Sequence, residues 1–485
     1  MQQLPGLTVG RTQANGASIT VVFRGHGFYS SHTLIEDANY KTMISRFSKI
    51  FDFCERAALP MALVRGALVL LVFAVIWIPW LAFKHVPETL VPPAAIEEAR
   101  YTTDDRLLEE LSNYDVGVPP FWQDARQLVD AAETLLQGQA NLFGTKAGSL
   151  EVPLNAATMA AGPGGWQLRL HGLILPRVLL EAYKVEKRPD FLRAAADYLL
   201  ANDDYEGSGC QPGGFLWNDK WSRFVRNDHA ISARVFVLAE FWRLYRQSGE
   251  YRPDVAEAVF RMAERCSYLL TEPSRFTYAT NHGIMQNLAV CHLSLSFPTL
   301  PGADNDCRLA FGRLDEQLSF FINDEGFVLE HSPGYQGLAL MLIGLAMRYH
   351  TLMELEIPQH WLRKYESAQR VYAELRRPDG TLPAFGDTDV GSDGEGPLVA
   401  PIDAQGLASQ LEHREWSASK QLMFAPGAGY NLWWDGLDGW PESPGLSQTA
   451  VAWSHFPGMG HKHADEMSLG FWADGTSWWT NVGYW

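Results

Sequence analysis

The sequence predicts an α+β multidomain protein in which a helical domain is followed by an antiparallel β-rich domain, with a transmembrane segment ahead of both. Three observations support this prediction. Residues 66–83 form an uncharged apolar stretch, helical periodicity runs from about residue 100 to 377, and short alternating segments with a hairpin turn follow. At 485 residues the chain is also long enough to form more than one domain, each with its own hydrophobic core.

The N-terminal region is predicted to carry a membrane anchor. Residues 1–65 show no sustained period and are expected to be a poorly structured cytoplasmic segment. Residues 66–83 are about as long as the shortest helix that spans a bilayer, and Lys and Arg are more frequent before them than after them. A cleaved signal peptide and a buried core helix are the alternatives. The anchor predicts a membrane partner through 66–83 and an exported catalytic part, at a bacterial inner membrane facing the periplasm.

After a proline-rich linker at residues 84–99, the segment 100–377 is predicted to be all-helical. Apolar residues recur three and four positions apart, and short Pro-, Gly-, Asn- and Asp-rich connections separate the helical segments. Short connections favour antiparallel helix pairs, and this many pairs predict a toroid or a solenoid. The predicted helices cover 173–187, 190–202, 229–248, 254–270, 284–297, 308–322, 337–355 and 359–376.

Residues 378–485 are predicted to form the β-rich domain. Strands are expected at 448–456, 467–472 and 476–482, and Asp474-Gly475 between the last two is a strong hairpin signal. A stable sandwich needs more strands than these. We therefore expect an antiparallel β-sandwich that is incomplete where the sequence ends.

Composition excludes some partners. The formal charge of -17 argues against nucleic acid or an anionic membrane surface as the main partner, although a locally basic cleft is compatible with an acidic substrate. The 17 Trp and 17 Tyr residues supply flat surfaces on which sugar rings can stack. The five Cys residues show no metal-finger spacing.

Short polar motifs carry the candidate chemistry. Asn281-His282-Gly283 opens a predicted helix, and Glu330-His331-Ser332-Pro333-Gly334-Tyr335 precedes another. Asp387 ends the segment Leu382-Pro383-Ala384-Phe385-Gly386-Asp387, and His461-Lys462-His463-Ala464-Asp465 lies near the end of the chain. Helix capping by Asn281, a Pro-Gly turn before Tyr335 and a polar loop at His461 are the plain structural interpretations.

In this order the motifs resemble the heparinase II/III-like polysaccharide lyases, which share a helical toroid followed by an antiparallel β-sandwich. The resemblance covers roughly residues 100–485 and includes Gly427-Ala428-Gly429-Tyr430. It implies β-elimination on a uronic-acid-containing polysaccharide. By position, Asn281 or His282 would neutralise the substrate carboxylate. Tyr335 would be the catalytic acid, either alone or as the base too, and His461 or His463 would be an assisting base or a ligand on the sandwich side.

Elimination explains why these residue types are wanted. The proton on carbon 5 of a uronic acid becomes acidic only when hydrogen-bond donors stabilise the charge that develops on the neighbouring carboxylate. A phenol, with an ordinary pKa of about 10, is a weak base unless nearby cations stabilise the phenolate. We expect further substrate contacts from Glu330, His331, Asp387, Arg223, Arg226 and Arg234.

No cofactor is required for this chemistry. Some relatives hold a structural zinc, which would place His463 among the ligands here. Asn481 stands where the resemblance leads us to expect an acidic ligand, so the zinc set is incomplete in this sequence.

Two other function classes fit the same residues. A glycoside hydrolase on a helical toroid would use two carboxylates, Glu330 with Asp387 or Asp228. A non-catalytic polysaccharide-binding or envelope-assembly protein would use the Trp residues as platforms. For the lyase, the candidate substrates are a heparan-type glycosaminoglycan, an alginate-like polyuronate and an acidic exopolysaccharide, of which the exopolysaccharide fits a membrane anchor best.

Overall fold

The computed structural model divides the chain into two compact units, Met1–His85 and Val86–Trp485. In the first unit it describes an antiparallel pair of strands, β1 (Leu7–Gly10) and β2 (Thr20–Phe23). The helices and the larger sheet belong to the second unit. The residues that the structure describes are 7–10, 20–23, 91–113, 124–140, 164–209, 226–278, 280–377, 381–388, 422–435, 447–453, 461–463 and 466–481.

Local sequence sets where the helices begin. Asn227 caps one of them by accepting hydrogen bonds from the backbone N–H groups of His229 and Ala230, and Pro253 opens the next, where a missing N–H costs nothing. The helices are α1 (Pro93–Thr102), α2 (Asp105–Leu111), α3 (Ala125–Leu136), α4 (Gly164–His171), α5 (Ile174–Glu186), α6 (Pro189–Gly209), α7 (Asp228–Tyr245), α8 (Pro253–Thr271), α9 (Asn281–Ser296), α10 (Ala303–Phe321), α11 (Pro333–Leu352) and α12 (Gln359–Leu375).

The helices build a toroid from inner and outer layers. The inner helices α7, α9 and α11 pack side by side and are buried on nearly every face. Each packs against the helix that follows it, and these outer helices, α8, α10 and α12, bury one face only. Helices that are apolar on all sides are stable here because other helices surround them.

A five-stranded antiparallel sheet follows the toroid, with strands in sequence order. Its apolar face contributes Leu432, Trp434 and Trp472 to a second core that also contains Phe327 and Phe385 from the helical side. The strands are β3 (Leu422–Ala425), β4 (Tyr430–Asp435), β5 (Ser447–Ala452), β6 (Ser468–Ala473) and β7 (Thr476–Trp479).

Buried polar side chains join the toroid to the sheet. Arg377, which is buried after α12, donates hydrogen bonds to Gln448 on β5 at 3.2 Å and to Ser477 on β7 at 3.1 Å. Glu325 accepts a hydrogen bond from the backbone N–H of Ala428 at 2.7 Å. Because an unmatched buried polar group costs stability, these contacts fix the sheet against one edge of the helices.

The helical pattern of the sequence is found in the structure. Each of the eight predicted helical segments contains a helix, and Asp474-Gly475 forms the predicted turn with positive φ at both residues. Two features differ: α1 begins at Pro93, inside the predicted linker, and β3 and β4 were not predicted. The strands were missed because the motif at Gly427–Tyr430 was interpreted only as a family signature, although it is their hairpin connection.

The predicted membrane anchor is corrected. Among the residues that the structure describes, no helix combines the length and the apolar character that a bilayer crossing requires, and residues 66–83 lie outside them. An apolar stretch of minimal length does not by itself distinguish an anchor from a helix buried among others, as α11 illustrates. The transmembrane part of the fold class, the membrane partner and the periplasmic location are therefore withdrawn.

Candidate functional site

Asn281 and His282 occupy the first turn of α9. Thr280 caps the helix by accepting the N–H of His282, and both site residues follow directly. Gly283 is required next, because a Cβ there would lie 2.3 Å from the carbonyl oxygen of Thr277 and 2.5 Å from the amide nitrogen of Gln317. The motif is thus a helix start pressed against a neighbouring loop, with His282 partly exposed.

Glu330 lies behind this helix start. Its side chain is 2% exposed, and Oε1 accepts the backbone N–H of Asn281 at 2.7 Å. Burial raises the pKa of Glu330 to about 7, although the Asn281 N–H and the charge of His282 act in the opposite direction. The protonated form of this carboxyl is therefore favoured far more than in a solvent-exposed glutamate.

Tyr335 lies in the first turn of α11. Ser332 caps this helix and Pro333 takes its first position, so the sequence Ser-Pro-Gly-Tyr is a helix start that fixes the tyrosine one turn in. The ring of Tyr335 stacks on the ring of His461, with centroids 3.5 Å apart and planes at 20°. This contact joins the toroid to the C-terminal part of the chain.

Asp387 connects the two histidines of the His461-Lys462-His463 motif. Its Oδ2 lies 2.9 Å from Nδ1 of His461 and its Oδ1 lies 2.6 Å from Nε2 of His463. The other ring nitrogen of His461, Nε2, lies 3.5 Å from Oε2 of Glu330. Burial lowers the pKa of His461, and the neighbouring Asp387 opposes that effect. The His461 ring is thereby held between two carboxyl groups.

Gly386 allows this arrangement. It has a φ of +53°, and a Cβ at this position would lie 2.4 Å from the carbonyl oxygen of His331 and 2.6 Å from that of His461. The backbone N–H of Asp387 also donates to the carbonyl of His461 at 3.0 Å. The segment 381–388 therefore passes between the loop before α11 and the histidine motif, touching both.

His282 is held by a residue of α7. Its Nδ1 lies 3.1 Å from Oδ2 of Asp228, the first residue of α7. The hydrogen bond to Asp228 raises the pKa of His282, burial opposes this, and the charges of Asp228 and Glu330 reinforce it. The positive charge of His282 is thus favoured by its neighbours, and that charge is close enough to His461 to lower the pKa of the His461 ring.

The structure brings seven of the predicted site residues into one connected group. They are Asn281, His282, Glu330, Tyr335, Asp387, His461 and His463.

The other predicted residues have different environments. Arg234 is 3% exposed and its guanidinium forms an ion pair with Glu206, so in this structure it does not reach a surface that a polymer can contact. His331 is also 3% exposed, and its backbone rather than its side chain packs on Gly386. Arg226 is half-buried and close enough to Arg275 to lower the pKa of that side chain, after the larger effect of burial. Arg223 lies outside the described residues.

Glu330 is likewise too buried for the direct substrate contact predicted from the sequence. Asp228 was considered only as a hydrolase carboxylate, and its pairing with His282 was missed. The Asn-Asp-His sequence at 227–229 signals a helix cap, but only the fold reveals that Asp228 meets His282 across 54 residues.

The described residues around His463 show its hydrogen-bond partner. Both His461 and His463 hydrogen-bond to Asp387, and among the described residues no three His, Cys, Asp or Glu side chains are grouped as metal ligands. Asp465 lies outside those residues. No chemical step below is assigned to a metal.

Comparisons with known proteins agree with the architecture. Residues 218–394 match the family model described as heparinase II/III N-terminus. Among solved structures, heparan sulfate lyase HepC from Pedobacter heparinus aligns with a TM-score of 0.54 and 16% identity, covering 80% of this chain and 60% of that one. A crystal structure of heparinase III aligns with a TM-score of 0.60 and 14% identity, covering 78% of this chain and 62% of that one.

This chain thus spans about 60% of the length of the structures it matches. No curated protein matches the chain significantly. At such identities the structural likeness shows the fold, and together with the family match it confirms the heparinase II/III-like resemblance predicted from the motifs.

Proposed function

We propose that this heparinase II/III-like protein is a polysaccharide lyase that cleaves a uronic-acid-containing chain by β-elimination. The observation that carries the proposal is the stacking of Tyr335 on His461, at 3.5 Å between ring centroids, beside the helix start that bears Asn281 and His282. The proposal is supported by a phenol, an imidazole and a candidate carboxylate-binding side chain that belong to one connected group of contacts.

In the proposed reaction, the proton on carbon 5 of the uronate is removed and its electron pair becomes the double bond to carbon 4. The bond from carbon 4 to the glycosidic oxygen breaks, and that oxygen takes up a proton. Negative charge develops on the uronate carboxylate during the first step. The imidazole of His282, which is partly exposed, stabilises that charge most when it is fixed in advance, whereas Asn281 is 4% exposed and is proposed to support the helix start behind it.

Tyr335 is proposed to exchange both protons. As a phenolate it can accept the proton from carbon 5, and the phenol so formed can donate that proton to the leaving oxygen, which requires that one group reach both atoms. His461 is proposed to orient the Tyr335 ring by stacking on it, with its own Nδ1 held by Asp387. His463 shares the same carboxylate and helps fix its orientation.

The hydrolase alternative finds less support in the same contacts. Glu330 is buried, Asp387 holds two histidines, and Asp228 holds His282. A hydrolase needs one carboxylic acid and one carboxylate that both face the sugar bond.

The preference for an exopolysaccharide substrate depended on the predicted membrane anchor. Because that anchor is withdrawn, all three candidate polymers remain to be tested.

The direct test incubates the full chain with a heparan-type glycosaminoglycan, an alginate-like polyuronate and an acidic bacterial exopolysaccharide. Ultraviolet absorbance reports the unsaturated uronate, and a reducing-end assay reports every new chain end. The proposal expects both signals to rise together. New ends without absorbance would indicate hydrolysis, and binding without either signal would indicate a polysaccharide-binding protein.

Tyr335→Phe removes only the phenolic oxygen from the stacked ring. We expect turnover to fall by roughly 10²–10⁴-fold, the usual contribution of acid–base catalysis, with polymer binding largely kept. Tyr278→Phe is the matched control, because that ring packs on Phe320 and is 44% exposed. Equal turnover of Tyr335→Phe and the wild-type protein would exclude the phenol from the reaction.

A further inference from the structure

Asp228 holds His282 through a set of hydrogen bonds that the sequence did not reveal. Its Oδ2 lies 3.1 Å from Nδ1 of His282 and accepts the hydroxyl of Thr277 at 2.7 Å. Its Oδ1 accepts the backbone N–H of His229 at 2.9 Å. Burial raises the pKa of Asp228, but the hydrogen bond and charge of His282 and the hydrogen bond from Thr277 outweigh this and lower it to about 2.

The ionised carboxylate fixes the orientation of the imidazole. A carboxylate only accepts hydrogen bonds, so His282 donates from Nδ1 and presents Nε2 on the side away from Asp228. The His282 side chain is 36% exposed while that of Asp228 is 18% exposed. A ligand therefore reaches the imidazole, and the carboxylate supports it from the protein side.

The groups around His282 favour its cationic form. Asp228 and His229 face it from α7, with the His229 ring at 5.3 Å, while Glu330 and His461 act on it from the site. Burial, aided by the nearby His282, lowers the pKa of His229 to about 4, so this neighbour is neutral at physiological pH. The nearest fixed charge is then the carboxylate of Asp228, an anion that stabilises an imidazolium.

We propose that Asp228 is a positioning residue that holds Nδ1 of His282, leaves Nε2 to meet the substrate carboxylate and so restricts the site to ionised uronates, excluding methyl-esterified ones. This inference rests on the proposed function, whose substrate class it narrows. An imidazolium forms a charge-assisted hydrogen bond with a carboxylate, whereas an ester offers a weaker, neutral acceptor.

The test uses nuclear magnetic resonance of the imidazole ring of His282 in the full chain, assigned with His282→Gln. Glucuronate and its methyl ester are the probes. In the wild-type protein we expect glucuronate to bind roughly tenfold or more tightly than the ester, the difference expected for one charge-assisted hydrogen bond. In Asp228→Asn the His282 ring should titrate at lower pH, and the preference for the acid should shrink to about twofold or less.

Two further variants separate positioning from folding. Asp228→Glu keeps the charge and should restore part of the preference for the acid. Asp315→Asn is the matched control, because Asp315 pairs with His360 at 2.8 Å elsewhere on the toroid and should leave His282 unchanged. An unchanged His282 titration in Asp228→Asn, or an ester that binds as tightly as the acid, would overturn the inference.

The outcome is separable from that of the proposed function. If a polymer is eliminated but Asp228→Asn retains the preference for the acid, the lyase assignment stands and the role of Asp228 fails. If no polymer in the panel is cleaved but His282 prefers glucuronate to its ester and this preference depends on Asp228, the positioning role of Asp228 stands and the lyase assignment fails.

Discussion

Replacing Glu330 with glutamine is expected to remove a pH dependence of stability that this single side chain creates. The pKa of Glu330 rises from 4.5 to about 7 because its carboxyl is buried. Between these pH values the folded protein keeps a proton that the unfolded chain releases, so this side chain stabilises the fold below about pH 4.5 and loses that contribution as pH rises through about 7. The lost contribution is on the order of 3 kcal/mol, at about 1.4 kcal/mol per pH unit.

Glutamine at position 330 keeps the hydrogen-bond acceptor for Asn281 but carries no group that titrates. Its side-chain oxygen can still accept the N–H of Asn281, which donates to Glu330 at 2.7 Å. We therefore expect the free energy of unfolding of Glu330→Gln, relative to wild type, to rise by roughly 3 kcal/mol between about pH 4.5 and about pH 8. Denaturant unfolding of both proteins at closely spaced pH values measures this difference, in which the titration of all other shared groups largely cancels.

Two variants test the reasoning. Glu325→Gln is the control, because its carboxylate accepts two backbone N–H groups near the surface of the same loop. Glu330→Ala removes the acceptor as well and should cost about 1–3 kcal/mol for the unmatched N–H of Asn281. If the wild-type and Glu330→Gln curves run parallel across the whole pH range, Glu330 is ionised in the folded protein and the argument from burial is wrong.

Two further predictions concern the contacts that assemble the site. An alanine in the left-handed conformation costs ~1–2 kcal/mol. Gly386→Ala should destabilise the protein by more than this, because its Cβ would meet two carbonyl oxygens. Thermal unfolding of this variant is compared with that of Gly475→Ala, where φ is +76° and the surrounding space is open. Equal losses in the two variants would show that no close approach exists at Gly386. Asp387→Asn should lower kcat by roughly 10–100-fold through weaker hydrogen bonds to His461 and His463; an unchanged kcat in the elimination assay would remove Asp387 from the site.

Much of the helical domain follows from local pattern. The spacing of apolar residues located the helices because each helix must bury a stripe of its surface, and the stripe is written at a period of 3.6 residues. Ser332-Pro333 and Thr280-Asn281 likewise mark helix starts by capping chemistry that neighbouring residues supply. The membrane anchor at residues 66–83 was predicted from an apolar stretch alone, and such a stretch does not indicate what surrounds the segment.

The site motifs were also visible in the sequence, but their division of labour was not. The motifs at Asn281, Tyr335 and His461 were singled out by residue type and by resemblance, and the structure gathers them. Glu330 was expected to touch substrate, yet it lies behind Asn281 and His461. Burial depends on which elements close over a residue, and residues far apart in the chain determine that.

The sequence by itself located eight helical segments and the polar motifs near their ends, because these depend on neighbours within a few positions. It placed the starts of α9 and α11 a few residues late, at 284 and 337, and assigned the cap of α9 to Asn281 instead of Thr280. The tertiary structure decided that Asp228 meets His282, that His461 stacks on Tyr335 and that burial raises the pKa of Glu330. Each of these joins residues more than 40 positions apart or depends on exclusion of water, and neither property is encoded locally.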